Sequence, residues 1–140
     1  MQKELYFTPG SLRSKSQALL ADVERLRCGH DKIRFRSGNA ALLVLDMQEY
    51  FLQPDSHAFV PPAPAIVEGI SRLRTAFLAA SRPVVFTRHV NTAEDAGMMS
   101  IWWRELISPH TARSHIVGTL ETSNCILITA RKALRVWLGP

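Results

Sequence analysis

The sequence is poor in cysteine and has no long apolar run, and both scarcities limit the class of protein. Neither Cys28 nor Cys125 has a second Cys or a His at zinc-finger spacing, which excludes a disulfide framework and a structural zinc site. The most apolar stretch, residues 40–45, is much shorter than the roughly 18–20 residues that cross a bilayer. We therefore expect no membrane span, no metal and no cofactor.

The N-terminus also lacks the features of a secretory signal. Charged residues and the pair Pro9-Gly10 occupy the region where such a signal has its apolar segment. From this we predict a cytoplasmic protein.

The charge balance is basic, with a formal net charge of +5. The basic residues are scattered along the chain, and no aromatic residues alternate with them to form a platform for stacked bases. This pattern favours a solvated surface and argues against a nucleic-acid partner. A basic binding domain is still an alternative, which strong salt dependence of nucleic-acid binding would support.

The chain divides into two regions. Residues 1–39 form an N-terminal arm with an amphipathic helix, which we expect to start at Ser14 or Ser16 and to end at Gly29. Residues 40–140 are predicted to form an α/β domain.

That domain opens with the continuous apolar run at residues 40–45, which is typical of a strand buried on both faces of a parallel sheet. Asp46 follows this run directly. The carboxyl ends of such strands are where α/β sheets place their binding sites. Asp46 is therefore the first candidate site residue.

A β-α-β unit follows. Apolar spacing predicts a helix over about residues 65–80, and Val84–Thr87 predicts a second strand that runs on to His89. Such a unit implies a parallel sheet with a right-handed crossover. The remaining patterns predict a short helix at 101–107, a third strand at 116–120 and a helix at 122–138.

The segment Leu45-Asp46-Met47-Gln48-Glu49-Tyr50-Phe51-Leu52 resembles the isochorismatase-like (cysteine hydrolase) family, in which a buried strand ends in Asp-x-Gln before an aromatic loop. It is more similar to the isochorismatase branch than to the nicotinamidase branch. Residues 83–89 resemble the family's second strand, and residues 96–107 resemble the loop and helix after it. The resemblance covers about residues 38–108. It implies a three-layer α/β/α, Rossmann-like fold with a mostly parallel sheet, and homo-oligomers.

The resemblance also implies hydrolysis of a small carboxylated or amide substrate by an Asp, a Lys and a Cys. Asp46 takes the acid/base position. Cys125 is the candidate nucleophile, because Thr122-x-x-Cys125 resembles the family's Cys turn, where a helix N-terminus favours the thiolate. In family members that cleave vinyl ethers the Asp is the acid and the Cys is dispensable. The candidate substrate-binding residues are Gln48, Phe51, His89, Trp102 and Trp103.

Several of these residues also have a structural interpretation. Gln48 could hold the loop by hydrogen bonds, and Cys125 could be a small apolar residue of the core. Trp102 and Trp103 could belong to the core or to a subunit interface.

The sequence departs from the family at its C-terminal side. No lysine lies between Lys32 and Lys132, although the family has its Lys before the Cys, and the segment from Ile107 to Cys125 is too short for the family's elements. We therefore expect a curtailed fold. Residues 108–140 are either a family remnant after an internal deletion or an unrelated tail.

Two functional hypotheses remain beside the basic binding domain. The first is a hydrolase in which Arg88, Arg104 or Arg113 replaces the Lys. We expect its activity to be reduced or absent, because arginine supplies the positive charge but is a poor proton donor. The second is a non-catalytic or truncated family member that acts through association.

Overall fold

The computed structural model describes residues 5–27, 36–103, 105–120 and 125–130. Within these ranges three strands form one sheet in the order β1-β2-β3, and both strand pairs are parallel. The strands are β1 (Leu42–Val44), β2 (Val84–His89) and β3 (Ile126–Ala130). The helices are α1 (Leu12–Leu26), α2 (Glu49–Leu52), α3 (Ala63–Ala79) and α4 (Met99–Trp102), with 3-10 turns at Ser37–Asn39 and Ala112–Ser114. The predicted α/β class with a parallel sheet is confirmed.

The N-terminal helix α1 begins earlier than Ser14 because a reciprocal pair of hydrogen bonds precedes it. The Thr8 N–H donates to Ser11 Oγ at 3.0 Å, and the Ser11 N–H donates to Thr8 Oγ1 at 3.1 Å. This is the arrangement of a capping box, which satisfies two backbone donors at a helix start. No residue of α1 is buried.

The core lies between α3 and one face of the sheet. Pro64 occupies the first turn of α3, where its missing N–H removes no helical hydrogen bond. Val44, Val84 and Phe86 are each at most 4% exposed, and they pack with apolar residues of α3 such as Ile70 and Phe77. The helix and the sheet thus bury each other's apolar surfaces.

The opposite face of the sheet is open to solvent in the described part of the chain. Successive side chains of a strand point to opposite faces, so the residues between the core positions point away from α3. Leu43 and Leu45 are 57% and 61% exposed, and Ile126 and Ile128 are 56% and 51% exposed. This set is called the open sheet face below.

Three predicted elements differ in the structure. Residues 116–120 form turns rather than a strand, although Ile116 makes an isolated antiparallel bridge to Gln48. The helix expected at 101–107 is the shorter α4. The helix expected at 122–138 is wrong over Ile126–Ala130, which is β3, and its other residues lie outside the described ranges. A short apolar run is compatible with either period, and pairing with β2 decides for the strand.

Candidate active site

Asp46 lies directly after β1, at the carboxyl edge of the sheet. Its φ of +51° is in the left-handed region, which Asp tolerates better than most residues. The Asp46 N–H donates to the Thr87 carbonyl oxygen at 3.1 Å, and Thr87 Oγ1 donates to Asp46 Oδ1 at 2.8 Å. Strand β2 therefore positions both the backbone and the carboxylate of Asp46.

Gln48 ties the end of β2 to a distant part of the chain. Its Nε2 donates to the carbonyl oxygens of His89 at 2.9 Å and Ser114 at 2.8 Å, while its Oε1 accepts from the His89 N–H at 2.7 Å. The side chain is 0% exposed. Predicted to bind substrate, Gln48 instead lies beneath the site with its amide N–H groups already bonded, as the structural interpretation expects.

A cavity of about 210 Å³ opens beside Asp46; it is called the Asp46 cavity below. Its walls are Asp46, Phe51, His89, Asn91, Met99, Trp103 and Ile107. The cavity therefore combines a carboxylate, an imidazole and an amide with aromatic and aliphatic walls. Small-molecule sites commonly have this composition, in which a few polar groups orient a ligand held by apolar contacts.

Tyr50 lines a second cavity and contacts Trp103, which lines the Asp46 cavity. The Trp103 Nε1–H donates to the Tyr50 hydroxyl at 2.8 Å, and that hydroxyl donates to the Glu105 carbonyl oxygen at 2.5 Å. Burial is the largest influence on Tyr50 and raises its pKa, the bond from Trp103 lowers it, and the negative charge of Glu105 raises it. The second cavity, of about 660 Å³, is lined by Tyr50, Asp55, Ser56, His57, Glu105, Leu106, Thr111 and Arg113.

The titratable groups around the second cavity lie in pairs. His57 Nδ1 is 3.9 Å from Glu105 Oε2, and Arg113 bonds to Asp55. Within the described residues, no group of three His, Cys, Asp or Glu side chains is placed to hold a metal ion. In the same ranges, no helix has both the length and the apolarity to span a membrane.

The family model of the isochorismatase domain matches residues 40–114, which is more than half of the chain. The chain belongs to the isochorismatase domain family. The matched range contains Asp46 and every other residue that lines the Asp46 cavity.

Solved structures of isochorismatase-like hydrolases share this fold. A cysteine hydrolase from Pseudomonas syringae pv. phaseolicola aligns with a TM-score of 0.62 at 21% identity, over 71% of this chain and 50% of that chain. A pyrazinamidase from Pyrococcus horikoshii aligns with a TM-score of 0.56 at 20% identity, over 66% and 51%. An isochorismatase from Pseudomonas putida aligns with a TM-score of 0.55 at 23% identity, over 76% and 49%. The chain therefore spans about half the length of these structures. No curated protein matches the sequence.

In this isochorismatase-domain chain, Cys125 does not lie near Asp46. Cys125 precedes Ile126, which pairs with Val85 near the start of β2, whereas Asp46 bonds to Thr87 toward its end. At about 3.3 Å per residue, the two side chains are roughly 10 Å or more apart along the strands. Cys125 is half-buried and packs against the core cluster, and it precedes a strand rather than opening a helix.

Of the remaining predicted substrate contacts, Phe51, His89 and Trp103 line the Asp46 cavity. Trp102 does not, and its side chain is 78% exposed. The difference arises because α4 ends at Trp102 and the extended backbone of Trp103 turns that side chain toward Tyr50.

The arginines considered as replacements for the family Lys lie outside the cavity walls where they are described. Arg88 Nε donates to Thr129 Oγ1 at 2.9 Å, and Arg113 pairs with Asp55 in the second cavity. Arg104 lies outside the described residues. Neither Arg88 nor Arg113 contacts Asp46 in the described structure.

Sequence reasoning missed Asn91, Met99 and Ile107. Asn91 had a usable signal, because residues two apart on an extended chain point to the same side, and His89 was already a candidate. Ile107 had none, since only the fold brings it beside Asn91, whose N–H donates to the Ile107 carbonyl oxygen at 2.7 Å.

Proposed function

We propose that this isochorismatase-domain chain hydrolyses a small carboxylated or amide molecule in the Asp46 cavity, with Asp46 as the acid. The observation that carries the proposal is the placement of Asp46. Its carboxylate follows a buried strand, is oriented by Thr87 at 2.8 Å, and shares a largely apolar cavity with His89 and Trp103.

The mechanism that this geometry favours does not use a thiol nucleophile. Cys125 lies at the amino-terminal end of the strands, whereas Asp46 lies at their carboxyl end, so the thiol is too distant to attack a substrate held beside Asp46. Asp46 donates a proton to the leaving group, water attacks the substrate carbon and gives up one proton to a base in the cavity, and the bond to the leaving group breaks. Phe51 and Trp103 hold the apolar body of the substrate.

Turnover of a substrate panel tests the proposed reaction. Pyrazinamide, N-carbamoylsarcosine and isochorismate represent the activities named for proteins of similar fold, and chromatography quantifies their products. Asp46→Asn is expected to lower turnover at least ~100-fold, the usual effect of removing a general acid. Asp22→Asn, on exposed α1, is the matched control and should retain full turnover. Equal turnover in wild type and Asp46→Asn would refute Asp46 as the acid.

A second candidate function is binding without turnover. It is favoured by the separation of Cys125 from Asp46 along the strands and by the contacts of Arg88 with Thr129 and of Arg113 with Asp55, away from Asp46. Calorimetry with the same three compounds separates the candidates. Saturable binding that Trp103→Ala weakens, with no product formed after prolonged incubation, supports the binding function.

A further inference from the structure

The side chains of His89 and Asn91 are hydrogen-bonded to each other at the wall of the Asp46 cavity. His89 Nε2 lies 2.6 Å from Asn91 Oδ1. Both residues line the cavity, and Asn91 is only 4% exposed. A hydrogen bond of this length in a part-buried position constrains both groups.

The backbone around the pair leaves it little freedom. Gln48 holds the N–H and the carbonyl oxygen of His89 at 2.7 Å and 2.9 Å. The Asn91 N–H is held by the Ile107 carbonyl oxygen at 2.7 Å. Because residues two apart on an extended chain project to the same side, the backbone presents imidazole and amide to each other.

The identity of the contacting atoms determines which imidazole nitrogen carries the proton. An amide oxygen has no hydrogen and can only accept, so His89 Nε2 must be the donor. A neutral imidazole has one N–H, and its other nitrogen is an acceptor. In the described part of the chain, His89 Nδ1 has no hydrogen-bonding partner, and the other titratable group in the cavity is Asp46.

We propose that Asn91 is a positioning residue that holds His89 as the Nε2–H tautomer, which leaves Nδ1 to accept a proton in the cavity that contains Asp46. The catalytic meaning rests on the proposed function. As water attacks the substrate carbon, one water proton passes to His89 Nδ1 while the Asp46 proton passes to the leaving group. After product release the imidazolium loses its proton to solvent and Asp46 regains one, so the cycle balances.

Nitrogen NMR of the imidazole tests the tautomer without a substrate. In ¹⁵N-labelled protein at neutral pH, long-range proton–nitrogen spectra distinguish a protonated from an unprotonated ring nitrogen, and His89→Gln assigns the signals. We expect a protonated Nε2, with its proton protected from exchange with water, and an unprotonated Nδ1. A protonated Nδ1 in the wild type would overturn the proposal, because it would mean that the Asn91 amide presents its NH₂ group to the ring.

Variants at Asn91 separate the role of the acceptor oxygen from simple packing. Asn91→Leu should remove the protection of the Nε2 proton, whereas Asn91→Asp, which keeps an oxygen acceptor, should retain it. Asn39→Leu, in the exposed 3-10 turn, is the control and should leave the His89 signals unchanged. Retained protection in folded Asn91→Leu would overturn the proposal, and if this variant does not fold, the wild-type tautomer still decides.

Kinetics connect the tautomer to the reaction. Asn91→Leu should lower kcat by roughly tenfold or more while KM changes little, as expected for weakened general base catalysis. Turnover that is insensitive to Asp46→Asn would refute the proposed function and leave the tautomer result standing. An Nδ1–H tautomer, or protection retained in Asn91→Leu, together with loss of turnover in Asp46→Asn, would refute only the role of Asn91.

Discussion

Asp46 and His89 line the same cavity because both lie at the carboxyl ends of neighbouring parallel strands. Asp46 follows β1, and His89 is the last residue of β2. Both were predictable, since polar residues after buried parallel strands gather at one edge of a sheet. The role of Gln48 as a buried support was one of two interpretations that the sequence allowed, and its three hydrogen bonds to chain segments that are distant in sequence decide between them.

Cys125 is the residue for which sequence and structure disagree most. Its spacing from Thr122 resembles a catalytic turn, yet it packs against the core at the start of β3. We expect Cys125→Ala to keep turnover within about twofold and to lower the free energy of unfolding by about 1 kcal/mol, a typical cost for truncating a partly buried side chain. Urea denaturation and the turnover assay check the two effects. Abolished turnover in a folded Cys125→Ala would restore the thiol mechanism.

Tyr50 is expected to make stability depend on pH in the alkaline range. Burial raises its pKa in the folded chain above the ordinary value of 10.0, so the unfolded chain loses this proton first as pH rises. The stabilising contribution is complete below the unfolded pKa and is lost as pH rises from there through the folded pKa. The alkaline absorbance titration of wild type minus that of Tyr50→Phe isolates the group. A difference curve centred at or below pH 10 would contradict the expected direction.

The helices and strands show where the periodicity of the sequence was sufficient. The run before Asp46 and the apolar spacing of α3 were long or regular enough to identify a strand and a helix, which the structure places at Leu42–Val44 and Ala63–Ala79. The pattern of residues 126–130 was not long enough to distinguish a strand from a helix, because a short apolar run is compatible with both the helical and the strand period. Parallel pairing with β2 provides the missing information.

The packing of α3 on the sheet predicts a contrast between two large apolar residues. Phe86 is 3% exposed in the core, whereas Leu73 on α3 is 51% exposed. Phe86→Ala should lower the free energy of unfolding by about 3–5 kcal/mol, and Leu73→Ala by less than about 1 kcal/mol. Phe86→Leu provides a milder variant if the first does not fold. Similar losses for Phe86→Leu and Leu73→Ala in urea denaturation would show that α3 does not cover this face as described.

The described part of the molecule exposes one apolar face of its sheet. Parallel sheets are normally covered on both faces, and contiguous exposed apolar patches commonly mark association sites. The open sheet face, centred on Leu43, Leu45, Ile126 and Ile128, therefore supports the homo-oligomer that the family resemblance implies. We propose that a second copy of the chain covers it.

Light scattering across a range of protein concentrations tests this association. Leu43→Lys and Ile128→Lys should each shift the chain toward the monomer, because a charge on the open sheet face resists burial. Leu73→Lys is the matched control, since Leu73 has similar exposure, 51% against 57% for Leu43, but lies on α3. Equal effects at Leu43 and Leu73 would indicate nonspecific association, and a strictly monomeric wild type would refute the proposal.

The sequence by itself determined the family, the α/β class and the position of Asp46, because all three depend on local patterns: a buried strand, its terminal carboxylate and the motif around it. Only the tertiary structure decided which residues meet. The strand register places Cys125 at the amino-terminal end of the strands and Asp46 at their carboxyl end. Pairing with β2 also makes residues 126–130 a strand, where the sequence pattern predicted a helix. Side-chain hydrogen bonds across distant segments placed Gln48 beneath the cavity and Asn91 against His89. Such contacts join residues that no local pattern relates, so they had to come from the folded chain.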